Sequence, residues 1–199
     1  MFTGIIEEVV EVQNLEKIKG NLKIYCQSSI SHELKINQSV AHNGVCLSIS
    51  DIKNNIYSVT AVKETLDKTN LNYLKIGSKI NIERCMKFSD RFDGHIVQGH
   101  VDLTAKCIQI VKEKGSHVFK FQHSKCEHIT VEKGSICVNG ISLTVFDVDQ
   151  TSFHVAIIPY TFQNTNLHKL QIGDYVNIEF DILGKYIAQN IIKERLKNK

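Results

Sequence analysis

The feature that most constrains the fold of this 199-residue chain is an internal repeat. When residues 43–83 are laid over residues 139–179 without a gap, 15 of the 41 aligned positions are identical. Unrelated segments of ordinary composition would share about two or three. The N-terminal MFTGIIE also matches IVQGHVD at residues 96–102, one position out of step with the rest. Self-similarity of this kind predicts a chain built from two similar units.

Each unit is rich in short β-branched runs that are separated by glycine or asparagine. Examples are NLKIYCQ, IYSVTAV, SLTVFDV and YVNIEF, and the chain holds a single proline, Pro159. Many short strands with regular turn signals favour β-barrels or sandwiches, and closing a barrel removes exposed strand edges. We therefore predict an all-β protein of two similar six-stranded Greek-key barrels, at residues 1–94 and 95–186.

The segment from residue 187 to residue 199 is predicted to form a short C-terminal helix. Ile187, Ile191, Ile192 and Leu196 fall on one helical face. A helix this short is marginal alone in water, so we expect it to dock on its own barrels or on a partner subunit. A frayed tail is the alternative.

Charge and cysteine usage exclude several classes of protein. The net charge of +3 gives no basic stripe of the kind that nucleic-acid-binding proteins carry. MFTGIIEEVVEVQ lacks the basic start and apolar run of a secretion signal, and no run of about 18 apolar residues predicts a membrane span. The six cysteines form no C-x-x-C pair, which argues against zinc. We expect reduced thiols in the cytoplasm.

The two copies differ at positions that carry chemistry. In order of first and second copy, the differing pairs are Cys46 and Ser142, Ser48 and Thr144, Ile5 and His100, and Asn37 and Lys133. The second copy therefore collects a histidine, two hydroxyls and an ammonium group. Similar pockets with unequal chemistry fit an enzyme that uses two molecules of one compound, one as donor and one as acceptor. Duplication followed by drift, with function in one copy or neither, is the alternative.

Two histidines, His95 and His100, cluster in GHIVQGHVD at residues 94–102. A histidine can act as acid or base at cellular pH, which makes His100 a candidate proton shuttle. A core histidine bonded to backbone is the alternative. Residues five apart point to opposite faces of a strand, and zinc would need convergent ligands from elsewhere that no spacing supplies. Signature loops of hydrolases and of phosphate-binding proteins are absent from the sequence.

Several motifs, taken together and in order, resemble the riboflavin synthase family from residue 1 to about residue 186. They are MFTGIIE, SVAHNGVCLSIS, KETLDKTNL, GSKINIERCMKFSDRFDGHIVQGHVD, VNGISLTV and VNIEFD. The resemblance implies that two molecules of 6,7-dimethyl-8-ribityllumazine dismutate by four-carbon transfer. The products are riboflavin and 5-amino-6-(D-ribitylamino)uracil, in the last step of riboflavin biosynthesis, with no cofactor or metal.

The resemblance also implies an assembly. It implies a homotrimer that is held largely by the C-terminal helices. The active site then forms between the N-terminal barrel of one subunit and the C-terminal barrel of the next. Lumazine synthase is a further partner in this interpretation, and nucleic acid and membrane are not partners.

Site residues also follow from the resemblance. Ligand contacts are expected at Gly4, Ile5, Ile6, Cys46, Leu47, Ser48, Thr60, Ala61, Val62, Lys63, Glu64, Thr65, Gly99, His100, Val101, Lys133, Ser142, Leu143, Thr144, Ile158, Pro159, Tyr160, Thr161, Phe162 and Gln163. Tyr160 and Phe162 are bulkier than the polar residues usual in the family, and Ser48 replaces a common threonine.

The lumazine C7 methyl group is acidic, and roles follow from its chemistry. His100, helped by the Thr144 hydroxyl, shares the methyl proton of one molecule. The nucleophile that adds to C7 of the partner molecule is Ser142, Cys46 or water, and the sequence does not choose among these three. Asp181 matches a family aspartate and would orient that nucleophile. The ribityl chain suits Lys133, Glu64, Thr65 and Thr161, and proximity of the two rings supplies much of the rate.

Two other functions compete with the synthase. A non-catalytic lumazine- or flavin-binding protein would lack much of the second-site chemistry, whereas His100, Ser142, Thr144, Lys133 and Asp181 are all present here. A nucleic-acid-binding barrel would need the basic stripe that this chain lacks.

Overall fold

Two closed antiparallel barrels of six strands each form the molecule, and they confirm the predicted duplicated all-β fold. The computed structural model describes residues 1–197, with side chains for residues 1–191. The first barrel consists of β1 (Glu8–Ile18), β2 (Asn21–Gln27), β3 (Ser39–His42), β4 (Val45–Lys53), β5 (Ile56–Ala61), the short helix α1 (Lys63–Lys68) and β6 (Lys79–Arg84). The second consists of β7 (Leu103–Glu113), β8 (Ser116–Gln122), β9 (Ser135–Val138), β10 (Ile141–Phe146), β11 (Ser152–Ile157), α2 (Pro159–Asn164) and β12 (Tyr175–Phe180). The helix α3 (Ile182–Lys197) follows.

Both barrels have the same strand order. It runs β1-β2-β5-β4-β3-β6 around the first barrel, and β7-β8-β11-β10-β9-β12 around the second. Side chains alternate between the inside and the outside of each barrel. In β2, for example, Leu22, Ile24 and Cys26 point into the core while their neighbours face outward. The long strands β1 and β7 each carry an irregularity in register near the same repeat position, after Val12 and after Cys107. Such bulges bend a strand and help a barrel to close.

Six buried asparagines join the barrels to each other. The Asn81 amide donates to the Asn139 carbonyl at 2.9 Å, and its repeat mate Asn177 donates to the Asn43 carbonyl at 2.8 Å. The side-chain oxygens of Asn81 and Asn177 also accept backbone N–H groups of Asn166 and Asn70 in the opposite barrel. These reciprocal pairs relate the barrels by an internal pseudo-twofold axis, as in an isologous dimer interface.

The C-terminal helix begins at Ile182, earlier than the predicted residue 187. Lys185 ties its first turn to Asp102, with Nζ 2.6 and 2.8 Å from the two carboxylate oxygens. The apolar side chains of Leu183, Tyr186, Ile187 and Ile191 are exposed. Ile192 and Leu196, which were placed on the same face, lie outside the residues whose side chains are described. Within the described part of the chain, no helix is long and apolar enough to cross a membrane.

Candidate functional site

Two loops at matched repeat positions, residues 1–7 and 96–102, cross between the barrels. Phe2 and Val97 pair side by side, with their N–H groups donating to each other's carbonyl at 2.8 and 3.1 Å. Each loop then turns at a glycine with positive φ, +80° at Gly4 and +81° at Gly99. Glycine adopts this conformation without a Cβ penalty. Beyond the turn, each loop lies against the other barrel.

The loop of the second repeat lies against the first barrel, and together they form a candidate site that we call the first pocket. The Gly99 carbonyl accepts the backbone N–H of Cys46 at 2.9 Å, and Val101 packs on the hydrophobic core of the first barrel. His100 lies between these two anchors and is exposed. The structure therefore places His100 with Cys46 and Ser48, whereas comparison of the repeats had grouped it with Ser142 and Thr144. An alignment of copies does not reveal which copy a connecting loop packs against.

The loop of the first repeat lies against the second barrel in the same way, and together they form a candidate site that we call the second pocket. The Gly4 carbonyl accepts the backbone N–H of Ser142 at 2.8 Å, and Ile6 packs on the core of the second barrel. Thr144, two residues along β10, is exposed beside it. The second pocket thus combines two hydroxyls with the aliphatic Ile5 and Ile6.

Lys133 supplies a positive charge on the same barrel. Its backbone has a φ of +61° and its N–H donates to the Val145 carbonyl of β10 at 3.0 Å. Its ammonium group lies 5.3 Å from the centre of the Phe146 ring. A cation over an aromatic face is attracted by the ring quadrupole, so the Lys133 side chain is held along β10.

His95 is a site residue that the sequence pattern did not assign to catalysis. Its Nδ1 lies 2.7 Å from Ser142 Oγ, and the residue is buried. Burial lowers the pKa of His95, and the negative charge of Asp181 opposes that shift. The imidazole is therefore neutral near neutral pH. In the tautomer protonated at Nε2, its Nδ1 accepts a hydrogen bond from the Ser142 hydroxyl, an arrangement in which an imidazole can act as a base for the hydroxyl.

Asp181 and Cys46, two further predicted residues, have contrasting environments. Asp181 precedes α3, and its carboxylate accepts the Leu183 N–H at 3.0 Å, as an N-cap does. Burial raises the pKa of the Cys46 thiol, the main effect among several on that group. Since the thiolate is the nucleophilic form, Cys46 is a weaker nucleophile than an ordinary thiol.

The other predicted contact residues lie on strand ends and on α1 and α2. Leu47 and Ala61 are buried in the first core, so only their backbone can meet a ligand. Lys63 and Glu64 form exposed ion pairs with Asp67 and Lys68 along α1. The remaining members are Thr60, Val62, Thr65, Leu143, Ile158, Pro159, Tyr160, Thr161, Phe162 and Gln163.

Several of the predicted contact residues are exposed apolar side chains. Ile5, Val62, Ile158 and Tyr160 are large apolar side chains that stay exposed. Phe162, in contrast, stacks on His117 of its own barrel with ring centres 3.8 Å apart. Apolar side chains combined with a few polar groups are typical of small-molecule sites.

No group of three or more His, Cys, Asp or Glu side chains is arranged to hold a metal ion within residues 1–191. The predicted site groups are hydroxyls, imidazoles, a thiol, an ammonium and carboxylates. Such groups move protons and form hydrogen bonds.

Comparison with known proteins places this geometry in a family. The lumazine binding domain matches twice, at residues 3–85 and 98–181. Riboflavin synthase of Actinobacillus pleuropneumoniae is 41% identical over 197 residues, which cover 98% of this chain and 91% of that protein. Riboflavin synthase of Bacillus subtilis is 40% identical over 198 residues, covering 97% and 91%. The Escherichia coli enzyme is 39% identical over 186 residues, covering 91% and 87%.

Solved structures share the fold. The crystal structure of LumP complexed with riboflavin superposes with a TM-score of 0.84 at 20% sequence identity, covering 90% of this chain and 99% of that one. LumP complexed with 6,7-dimethyl-8-(1'-D-ribityl) lumazine gives a TM-score of 0.82 at 19% identity, covering 90% and 98%. At these identities the likeness concerns the fold alone.

Proposed function

The chain belongs to the riboflavin synthase family, and we propose that it carries out this family's reaction in an active site that two copies of the chain share. It is an enzyme of riboflavin biosynthesis, with two lumazine-binding barrels. In the reaction, one molecule of 6,7-dimethyl-8-ribityllumazine gives four carbons to a second one. Riboflavin and 5-amino-6-(D-ribitylamino)uracil together contain the atoms of two substrate molecules, so the transfer needs no external oxidant or reductant.

The main support for the proposal is that the two pockets contain different reactive groups. The first pocket offers His100 beside Cys46, and the second offers Ser142 with its base His95. A dismutation needs this inequality, because one bound molecule must lose a proton while the other accepts a nucleophile. Equal pockets would treat both substrates alike.

In the first pocket, His100 takes the proton of the acidic C7 methyl group of one lumazine. In the second pocket, Ser142 Oγ bonds to C7 of the other lumazine as His95 Nδ1 takes the hydroxyl proton, and an electron pair moves into the ring. Ser142 is favoured over Cys46 because its oxygen has a base at 2.7 Å, whereas burial keeps the Cys46 thiol protonated. Thr144 and Lys133 bind the carbonyls or the ribityl chain of the molecule in the second pocket.

The two lumazine rings meet when the first pocket of one subunit faces the second pocket of another. In support, no hydrogen bond links Cys46, Ser48 or His100 to Ser142, Thr144 or Lys133 in the part of the chain with described side chains. Exposed apolar residues on α3, among them Ile187 and Ile191, support a homotrimer held by this helix. Light scattering of a chain ending at Tyr186 tests this, and an intact trimer would contradict it.

Two less specific proposals complete the function. A cytoplasmic location is supported by the free thiols of all six cysteines, since disulfides are rare in a reducing compartment. Association with lumazine synthase is supported by the family resemblance.

A non-catalytic lumazine- or flavin-binding protein is the other function considered. The LumP structures share the fold at about half the identity that links the chain to riboflavin synthases. The sequence also holds the pair Ser142 and His95 and the exposed His100 that turnover requires. These observations favour the enzyme.

Turnover by the purified protein tests the proposal. With ribityllumazine as the sole addition, absorbance should show one riboflavin formed for two lumazines consumed. His100→Ala should lower turnover on the order of 10²-fold while ligand binding persists. His32→Ala, at an exposed histidine of the first barrel, is the matched control and should leave turnover unchanged. Tight binding without turnover by the unmodified chain would contradict the proposal.

A further inference from the structure

Each crossing loop is held by one buried carboxylate, at the same position of the two repeats. On β6, Glu83 accepts the Thr3 N–H at 2.7 Å, the Thr3 hydroxyl at 2.9 Å and the Gly4 N–H at 3.0 Å. On β12, Glu179 accepts the N–H groups of Gln98, Gly99 and His100 at 2.7, 2.9 and 2.8 Å. Three donors converge on each carboxylate.

These carboxylates are among the most buried charged groups of the protein. Glu83 is 5% exposed and Glu179 is 2% exposed. Removing a carboxylate from water is costly unless several hydrogen bonds compensate. The loop N–H groups provide that compensation only when the loop adopts this one conformation. Each carboxylate therefore selects the conformation of its loop.

Each carboxylate holds a loop residue that lies in the pocket of the opposite barrel. Glu179 belongs to the second barrel, yet the His100 that it holds lies on the first pocket beside Cys46. Glu83 belongs to the first barrel, yet the Gly4 that it holds lies against Ser142 in the second pocket. The geometry of each pocket therefore depends on a residue of the other repeat.

We propose that Glu179 and Glu83 are positioning residues that act across the barrel interface, Glu179 on His100 in the first pocket and Glu83 on Gly4 and Ile5 in the second. The catalytic consequence rests on the proposed function. Neither carboxylate touches the substrate; each aligns a loop that does. The two glutamates form a pair with opposite targets, and each is the natural control for the other.

Glutamine cannot replace either carboxylate without moving the loop. Whichever way the amide of a Glu179→Gln variant points, its NH₂ group faces an N–H donor in place of an acceptor. Glu179→Asp keeps the charge that Lys185 faces, but its carboxylate lies one methylene further from the loop. The first variant replaces one of the two acceptor oxygens with a donor, and the second moves both oxygens away from the loop. If the carboxylate acted through charge alone, only the glutamine variant would be impaired.

Nuclear magnetic resonance of the histidine side chains, combined with the pH dependence of turnover, tests the proposal. The His100 signal is assigned by its loss in His100→Ala. We expect Glu179→Gln and Glu179→Asp to shift this signal, to lower turnover on the order of 10²-fold and to move the pH–rate profile. Glu83→Gln should lower turnover as well, but should leave the His100 signal at its original position.

Three outcomes would overturn the proposal. One is an unchanged His100 signal in Glu179→Gln, and another is an equal shift in Glu83→Gln. The third is wild-type behaviour of Glu179→Asp, which would show that charge alone matters. The resonance measurement does not need turnover. A chain that failed to make riboflavin would contradict the proposed function, while the His100 signal would still decide the role of Glu179.

Discussion

Replacing Gly99 with alanine should damage both stability and activity, for two separable reasons. The backbone φ of Gly99 is +81°, and an L-residue in this region costs about 1–2 kcal/mol. A Cβ at this position would lie 2.5 Å from Cys46 Cβ and 2.9 Å from the Cys46 nitrogen. Overpacking of this kind costs about 1–3 kcal/mol. We therefore expect Gly99→Ala to lower the free energy of unfolding by about 2–5 kcal/mol.

The same substitution should slow turnover, because the loop must move to relieve the contact. Ordinary contact between the two carbon atoms requires a separation of about 3.5 Å, so the backbone must shift by about 1 Å. His100 is the next residue and shifts with it. A displacement of about 1 Å at a catalytic group costs on the order of 10²-fold in rate.

Gly77→Ala is the matched control. Gly77 has a φ of +85°, and a Cβ there would meet no atom within 4 Å. Its substitution should cost about 1–2 kcal/mol and leave turnover unchanged. Urea unfolding and the initial rate of riboflavin formation measure both effects. If Gly99→Ala were as stable and as active as Gly77→Ala, the packing of the crossed loop against Cys46 would be refuted.

Three further perturbations test other parts of the structure. Asn81→Leu should destabilise the protein by about 3–9 kcal/mol in urea unfolding, since it leaves the Asn139 carbonyl and the side-chain oxygen and N–H of Asn166 unpaired at about 1–3 kcal/mol each. A loss under about 1 kcal/mol would contradict the role of the amide network. Lys185→Met should cost about 3–5 kcal/mol by removing the lysine partner of the largely buried Asp102, and equal stability of variant and wild type would count against that anchor. Burial lowers the pKa of His42 from 6.5 to about 4. The contribution of neutral His42 to the free energy of unfolding should therefore be fully present above pH 6.5 and fall by about 3 kcal/mol as the pH decreases toward 4. His42→Gln should lose this part of the pH dependence, and an unchanged dependence would refute the assignment.

The barrels were predictable because the repeat and the strand pattern are local properties of the sequence. Matching Cys46 with Ser142 in the repeat located the strand in each barrel that carries the polar pocket residues. Both residues also donate the same backbone hydrogen bond, from their N–H to the carbonyl of a loop glycine. Features that lie within one copy of the repeat, such as strands and their pocket residues, were therefore predictable from the sequence.

The crossing of the loops was not predictable, because it depends on contacts between the copies. Repeat alignment assigns His100 to the second copy, and the chain then carries it to the first pocket. His95 was missed for the same reason, since its bond to Ser142 joins the segment between the repeats to β10. Glu83 and Glu179 are identical in the alignment, but identity alone does not separate a positioning residue from a core residue.

The start of α3 depends on Asp181, a residue that the sequence analysis predicts only as a site residue. Asp181 was predicted as a catalytic-region aspartate, and its carboxylate also caps the helix that begins at Ile182. Aspartate is among the preferred residues at helix N-termini. The helix therefore begins where its cap lies, five residues before the apolar periodicity alone had suggested.

Mixing of two inactive variants tests most directly whether the unequal pockets of different copies form one active site. His100→Ala damages only the first pocket and Ser142→Ala only the second, so each variant alone should have little turnover. In a trimer assembled from equal amounts of both, about one quarter of the interfaces join an intact first pocket to an intact second pocket. We predict that co-expression restores about one quarter of wild-type turnover. Mixed trimers as inactive as either variant alone would contradict the account.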